Sequence, residues 1–238
     1  MAQRGVVGTG PVTGAIAFDL TRQVVGLRSS VPRGIDRIDH AYARHFFEQW
    51  SGDAVGVLPT PWGMRTFNRD RSLRIVNFVE ARWGEEADPD ADPVYRWLKD
   101  RLLDRSPSVE RPKERRAARR FGSGITQLLR QAGFSFGQRL ATLPTGTVYL
   151  NTGQLGLALP KLLSWLAARS DVKPVFLLQD VIPLEYPEYA PRWAARGHRQ
   201  MLASTARYAK GLVVTTQAAA VSIKRELARL TSSRETSI

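Results

Sequence analysis

The sequence contains no cysteine and only three histidines. The absence of cysteine excludes disulfides, thiolate nucleophiles, iron–sulfur clusters and cysteine-type zinc sites, and it is compatible with a reducing compartment. His40, His45 and His198 are too few and too scattered to suggest a metal centre. We therefore expect no bound metal, and we interpret the three histidines as structural.

Long apolar runs are also missing. A membrane-spanning helix needs about 20 consecutive apolar residues, whereas the most apolar stretch, residues 155–168, is interrupted by Pro160 and Lys161. The start of the chain is rich in glycine and contains Pro11, so it does not fit a secretory signal segment. We interpret residues 1–14 as a flexible N-terminus and predict no transmembrane segment.

Negative charge is scarce relative to positive charge. The 238 residues include 35 basic and 22 acidic side chains, which gives a net charge of +13. The hydrophobic fraction of 43% is large enough for a buried core, so the chain is not a disordered basic tail. An excess of positive charge suggests a nucleic acid, an anionic membrane surface or a phosphate-bearing ligand.

The basic side chains are most concentrated in residues 105–120, a segment that contains Pro107 and Pro112. A charge run between two prolines is typical of a solvated linker or an exposed helix start. Contact with anionic lipid headgroups or with nucleic acid are the alternatives. No aromatic residue interleaves the run, as a stacking platform for single-stranded nucleic acid would require.

Hydrophobic periodicity predicts strands that alternate with helices. The first helix carries Ile35, Ile38, Tyr42 and Phe46 at helical spacing, and the turn Pro59-Thr60-Pro61 is expected to end the second strand. Strands are predicted at 15–18, 54–58, 147–150, 175–178 and 212–215; further helices are predicted around residues 75–83, 94–102, 156–169, 191–208 and 217–230, followed by a tail at 231–238.

Strands that are apolar on both faces and alternate with helices indicate a doubly wound parallel α/β sheet of the Rossmann-like class. We assign residues 15–230 to one such domain. Ligands of these sheets bind beyond the carboxyl ends of the strands. The polar residues at those predicted ends, and hence the candidate site residues, are Asp19, Asn151, Gln179, Asp180 and Thr216.

Three common catalytic or nucleotide-binding motifs are absent. The chain has no GxGxxG, GxxxxGK[ST] or GxSxG sequence, so the dinucleotide-binding, P-loop and serine-hydrolase hypotheses lose their main support. Arg33 and Gly34 precede the first helix, where a glycine allows close approach of a phosphate to free N–H groups. Taken alone, an ordinary turn is the better explanation of this pair.

The pair Gln179-Asp180 closes an apolar strand and precedes a loop rich in proline and tyrosine. Such a loop is ordered by packing, and it can hold a carboxylate and an amide at the edge of a cleft. Alternatively, Asp180 caps the following turn. The pattern leaves both interpretations open.

Three segments together resemble the amino-terminal domain of GT-B glycosyltransferases, in particular the retaining family 4. The first combines Phe18-Asp19-Leu20-Thr21-Arg22 with Gly34-Ile35-Asp36-Arg37. The second is Gln179-Asp180-Val181-Ile182-Pro183-Leu184, which is similar to the family's His-Asp-x-x-Pro segment. The third runs from Tyr208 to Gln217. The occurrence of the three segments in the family's order is more specific evidence for the resemblance than any one segment alone.

The resemblance implies transfer of a hexosyl group, with retention, from a nucleotide-diphosphate sugar to a lipid-linked or polysaccharide acceptor, usually without a metal or other cofactor. It implies that Asp180 and Gln179 border the reacting sugar. The residues that it implies for substrate binding are Arg33, Gly34, Ile35 and Arg37 at the diphosphate, and Asn151, Thr152, Gly153 and Thr216 elsewhere in the site.

The sequence departs from the family in two respects. Gln179 stands where the family usually has histidine, and glutamine can hydrogen-bond a hydroxyl but cannot titrate. Family members also continue into a second, nucleotide-binding domain. We therefore expect an amino-terminal lobe with little activity alone, located in the cytoplasm, with peripheral contact at the inner membrane face. A noncatalytic basic module that binds anionic membrane or nucleic acid is the alternative.

Overall fold

The computed structural model describes residues 14–29, 31–84, 93–105, 122, 124–130 and 135–235. Residues 1–13 of the predicted N-terminal segment, all but the first residue of the basic segment 105–120, and residues 236–238 lie outside this part of the chain. In the part that is described, no helix is both long and apolar enough to cross a membrane.

The strands form one seven-stranded sheet with the order β4-β3-β2-β1-β5-β6-β7. Five of them run parallel, and β3 pairs antiparallel with both β2 and β4. The strands are β1 (Ile16–Asp19), β2 (Ala54–Thr60), β3 (Gly63–Phe67), β4 (Gln138–Arg139), β5 (Val148–Asn151), β6 (Lys173–Leu178) and β7 (Gly211–Val214).

Helices connect the parallel strands and cover both faces of the sheet. They are α1 (Thr21–Gly26), α2 (Gly34–Arg44), α3 (Arg69–Gly84), α4 (Pro93–Leu102), α5 (124–130), α6 (Pro160–Leu163), α7 (Trp165–Ala168), α8 (Ile182–Glu185), α9 (Arg192–Tyr208) and α10 (Gln217–Glu235). A π-helical turn, His45–Gln49, follows α2, and 3₁₀ turns lie at Leu140–Thr142, Leu155–Ala158 and Pro187–Tyr189.

The core is divided by the sheet into two layers. Phe18, Phe47 and Val79 belong to the cluster on one face, whereas Tyr149 and Phe176 belong to the cluster on the other. Each face is apolar because each is covered by helices. This architecture confirms the predicted fold class, a Rossmann-like, doubly wound α/β sheet.

The predicted turn after the second strand is wrong. Pro59 lies inside β2, opposite Met64 of β3, and the hairpin turns instead at Pro61 and Trp62, before Gly63 with φ +94°. Pairing of β1 with β2 ends at Val57. Pro59 therefore lies past the end of β1, where no strand is present on that side to accept a hydrogen bond from the residue at this position. The N–H group that proline lacks is not needed there.

Two helix predictions also need correction. The single helix predicted at 156–169 is divided into a 3₁₀ turn, α6 and α7. Leu159 has φ −120° and ψ 81°, because Pro160 disfavours a helical conformation in the residue before it. At the other end of the domain, α10 continues to Glu235, so most of the predicted tail 231–238 is helical.

Candidate functional site

The sheet changes direction of winding between β1 and β5. The chain passes from β1 to β2 on one side, and later returns to place β5 against the other side of β1. Helices that follow the two strands diverge at such a point and leave a crevice at the carboxyl edge of the sheet, where ligands of this fold class bind. Asp19 and Asn151 end these two strands.

Asp19 is a buried carboxylate that three donors hold in place. The hydroxyl of Tyr149 donates to Oδ2, Asn151 donates to the same oxygen at 3.2 Å, and the N–H of Thr21 donates to Oδ1 at 2.8 Å. Burial raises the pKa of Asp19 above its usual value, although these hydrogen bonds oppose the rise. The pKa of Tyr149 is raised by burial and by the charge of Asp19, so its hydroxyl remains the donor.

Asp39, on α2, is a second buried carboxylate at this edge. It accepts hydrogen bonds of 2.6 Å from Nε2 of Gln23 and 2.6 Å from the hydroxyl of Thr152. Burial is the largest cause that raises the pKa of Asp39 to about 7. The side chain therefore changes its protonation near neutral pH, and it ties α1 and α2 to the loop after β5.

His40 extends this network towards the surface. Gln23 donates its amide to Asp39, so its Oε1 accepts from Nδ1 of His40 at 3.1 Å, which fixes the proton on Nδ1. Nε2 lies 3.6 Å from the carboxylate of Glu80. Burial lowers the pKa of His40, although Glu80 opposes this effect. The predicted structural role of His40 fits these contacts.

Arg22 links the loop after β5 to the start of α2. Its Nε donates to the carbonyl of Gly153 at 2.8 Å, and its Nη1 donates to Asp36 at 3.0 Å. A side chain at position 153 would collide with Cβ of Arg22 and lie 3.1 Å from Oδ1 of Asp39. Only glycine fits at this position, which explains why the loop approaches α1 and α2 so closely.

The N-terminus of α2 therefore lies at the same edge as the 151–153 loop. The N–H of Arg33 donates to Asp36 at 2.8 Å, and the N–H groups of Asp36 and Arg37 bond to the carbonyl of Arg33. In the described part of the chain, the N–H groups of Gly34 and Ile35 have no partner. Arg33, Gly34 and Arg37 are exposed, so an anion can reach these donors.

The remaining predicted residues lie at the ends of β6 and β7. Asp180 accepts from the N–H of Ile182 at 3.1 Å, as the turn-cap interpretation requires, and the carbonyl of Gln179 accepts from Thr215 at 3.3 Å. The hydroxyl of Thr216 accepts from the N–H of Ala219 and caps α10. Among the described residues, no hydrogen bond joins this group to Asp19 or Asp39.

The sequence did not identify the buried half of the network, Gln23, Asp39, His40 and Tyr149. The apolar stripe predicted for the first helix is only half-buried: Ile35, Ile38 and Tyr42 lie on α2, and Phe46 lies in the π-helical turn after it. The buried stripe instead contains Asp36, Asp39, His40 and Ala43. Acidic residues at positions 36 and 39 and histidine at 40 share one helix face, which is the signal that could have found them.

Two further findings bear on what this edge can bind. Among the described residues, no group of three or more histidine and acidic side chains is arranged to hold a metal ion. No protein-family model, no curated protein and no solved structure matches the chain.

Proposed function

We propose that this chain is a retaining glycosyltransferase of the GT-B type, which transfers a hexosyl group from a nucleotide-diphosphate sugar to a lipid-linked or polysaccharide acceptor. One observation carries the proposal: the N-terminus of α2 lies beside the 151–153 loop at the winding switch. It has two exposed arginines and two N–H groups without a partner among the described residues. The three segments that resemble family 4 support the same assignment.

The donor diphosphate fits the start of α2. The N–H groups of Gly34 and Ile35 supply two hydrogen bonds in the direction of the positive helix dipole, and Arg33 and Arg37 add positive charge. As the bond between the anomeric carbon and the phosphate oxygen breaks, negative charge grows on the diphosphate. Fixed donors at this position stabilise that charge.

The acceptor fits the edge towards β6. Asp180 and Gln179 border the reacting sugar and the acceptor hydroxyl in this proposal, with the Asp180 carboxylate oriented by the N–H of Ile182. The amide of Gln179 can hydrogen-bond a hydroxyl, but it cannot take up a proton. Asn151 and Thr152 bond to the buried carboxylates, so their part is to fix the loop that ends at Gly153. Thr216 caps the start of α10.

The proposed setting is the cytoplasmic face of a membrane. An acceptor carried on a lipid requires the protein to approach that surface from the aqueous side. The family resemblance assigns most nucleotide contacts to a second lobe, so we expect the lobe described here to bind nucleotide sugars weakly.

A binding titration tests the donor site. The chain is titrated with a panel of uridine, guanosine and adenosine diphosphate sugars. The double substitution Arg33→Gln/Arg37→Gln is expected to weaken binding of the preferred sugar on the order of tenfold or more, because charge-assisted bonds to phosphate are lost. Arg74→Gln, an exposed arginine on α3, is the matched control and is expected to have no effect.

A transfer assay tests the reaction. Labelled nucleotide sugars are supplied with membrane lipids, and label is counted in the lipid and polysaccharide fractions. Transfer by the chain alone is expected to be small, and Asp180→Asn is expected to lower it to the level of a sample without protein. Asp53→Asn, an exposed carboxylate at the other edge of the sheet, should leave transfer unchanged. Absence of both nucleotide-sugar binding and labelled product would contradict the proposal.

A further inference from the structure

Helix α9 presents an exposed face made of arginines. Its 17 residues contain no acidic side chain, and four exposed arginines lie within one side of the helix at spacings of four, three and eight residues. We call these residues the arginine face: Arg192, Arg196, Arg199 and Arg207. The opposite side, with Met201 and Leu202, is buried in the core.

In the part of the chain that the structure describes, no acidic side chain forms an ion pair with the arginine face. Among the described residues, Arg22, Arg44, Arg169 and Arg225 all form ion pairs with aspartate or glutamate. No ion pair involves a member of the arginine face in the same part of the chain, and Arg207 only lies over the ring of Tyr208. Four like charges on one helix repel one another. This arrangement is unfavourable for the isolated domain and favourable against an anionic surface.

Large apolar side chains border the arginine face. Four of them are exposed between residues 182 and 193, and we call them the aromatic edge: Ile182, Tyr186, Tyr189 and Trp193. Tyr189 is 82% exposed and Trp193 is 76% exposed. Trp193 lies on α9 itself, next to the first arginines. The preceding turns contain Pro183 and Pro187, which limit the freedom of the backbone that carries these side chains.

A groove of about 400 Å³ adjoins the same surface between α8, α9 and α10. Its lining is mainly apolar and includes Leu184, Leu202 and Leu230. Its charged residues are Arg199, Arg229 and Glu226, and Glu226 forms an ion pair with Arg229. The ion pair between Glu185 and Arg225 holds α8 against α10 beside it. Pro183, Leu184 and Pro187, which alternate in the chain with residues of the aromatic edge, line this groove.

We propose that the arginine face and the aromatic edge together bind the surface of a membrane that contains anionic lipids. Arginines interact with the anionic headgroups, and tyrosine and tryptophan are suited to the boundary between headgroups and acyl chains. Single-stranded nucleic acid fits less well, because it requires a basic groove with interleaved aromatic residues. Here the arginines lie on a convex helix and the aromatic side chains lie at one end of it.

The inference deepens the proposed function, since the aromatic edge begins two residues after Asp180. A membrane bound here would bring a lipid-linked acceptor to the proposed reacting groups. Vesicle binding, however, needs no donor sugar and no catalysis. Failure of transfer and failure of membrane binding are therefore separate results.

Co-sedimentation with vesicles tests the inference. The full chain is mixed with phosphatidylcholine vesicles and with vesicles in which about a third of the lipid is phosphatidylglycerol. We expect binding to the anionic vesicles that weakens as salt is added. Arg192→Gln/Arg196→Gln/Arg199→Gln should weaken it on the order of a hundredfold, because each arginine near an anionic surface contributes about a factor of five. Tyr189→Ser/Trp193→Ser should also weaken it.

Two matched controls keep the test specific. Arg74→Gln/Arg96→Gln/Arg130→Gln removes three exposed charges elsewhere, and Trp62→Ser removes a tryptophan that is 55% exposed on the β2–β3 turn. Both should bind vesicles almost as the unchanged chain does, and circular dichroism should show that all variants are folded. Three results would each overturn the inference: no binding to anionic vesicles, equal losses in the controls, or tighter binding to an oligonucleotide at the same salt concentration.

Discussion

The two ends of the site differ in how they use charge. At the β1–β5 switch, Asp19 and Asp39 are buried, and they accept hydrogen bonds from Tyr149, Gln23 and Thr152 of the same domain. At the β6–α9 side, arginines and aromatic rings are exposed, and the arginine face has no acidic partner among the described residues. The first region fixes the positions of α1, α2 and the 151–153 loop. The second region has groups available for contacts outside the domain.

This comparison shows that polar residues at one edge of the sheet can have different roles, either in folding stability or in binding. A buried carboxylate whose two oxygens both accept hydrogen bonds stabilises the arrangement of the elements around it. Loss of one of its partners therefore lowers the free energy of unfolding. An exposed arginine contributes little to folding stability. Substitutions at the switch should therefore change stability, whereas substitutions on α9 should change binding and leave stability nearly unchanged.

The largest effect is expected from Gly153→Val at the switch. The added side chain collides with Arg22 and approaches Asp39, and both neighbours are held by hydrogen bonds. We expect a loss of about 3 kcal/mol or more in the free energy of unfolding, measured by urea denaturation. An unchanged midpoint would mean that the 151–153 loop is not packed against α1 as described.

The next effect is a pH dependence that belongs to Asp39. Its pKa in the folded chain, about 7, lies above its value in the unfolded chain, so protonation stabilises the fold. This contribution is fully present below about pH 4 and is lost as the pH rises through 7. The difference in stability between Asp39→Asn and the unchanged chain should therefore shift in favour of the variant by about 2 to 3 kcal/mol as the pH rises from about 5 to about 8.

Thermal or urea unfolding of both chains across this pH range measures the difference. Contributions from other groups, such as the lowered pKa of His40, are common to both chains and largely cancel. The amide of asparagine can accept from Gln23 and donate to Thr152, so the network stays complete. A difference in stability that is independent of pH would show that Asp39 does not titrate near neutrality.

A smaller effect is expected from Tyr149→Phe. The substitution removes one of the three donors to Asp19 and leaves the ring in place, so we expect a loss of about 1 to 2 kcal/mol. Tyr189→Phe, in the aromatic edge, is the control and should change stability by less than about 0.5 kcal/mol. Equal losses at the two tyrosines would remove the distinction between the two regions.

The smallest effect has the opposite sign. Gly197 lies inside α9, and a Cβ at this position meets no atom within 4 Å. Gly197→Ala should stabilise the protein by about 0.5 to 1 kcal/mol, since alanine has the higher helix propensity. A destabilised variant in the same urea assay would indicate that this side of α9 is covered in the folded chain.

Strands and long helices could be predicted from the sequence because their apolar residues follow the period of each element. The hairpin β2–β3 could not be predicted, because a proline normally ends a strand. Pro59 is tolerated inside β2 only because β1 ends before it, which the sequence does not show. Arg33, Gly34, Asn151, Thr152 and Gly153 could be placed at the carboxyl edge from their positions after predicted strands. Their contacts depend on register and packing, which periodicity does not specify.

The buried carboxylates illustrate the limit more directly. From sequence, an aspartate on a helix is normally assigned to the solvent-facing side. Asp39 would be assigned there too, but it is fully buried. Only the proximity of Gln23 and Thr152, from two other elements, makes the burial favourable. Asp180 shows the converse, because its turn-cap bond is local and was among the alternatives that the sequence offered.

The hydrogen bond between Tyr149 and Asp19 joins residues that are 130 positions apart in the chain. During synthesis, the first strand, α1 and α2 leave the ribosome long before β5 does. The early segment therefore carries two carboxylates that lack their donors from β5 and the loop after it, Tyr149, Asn151 and Thr152, until those residues have been made. Contacts of such long sequence separation form slowly. The candidate site is thus a late product of folding, completed only when the second half of the sheet has been added.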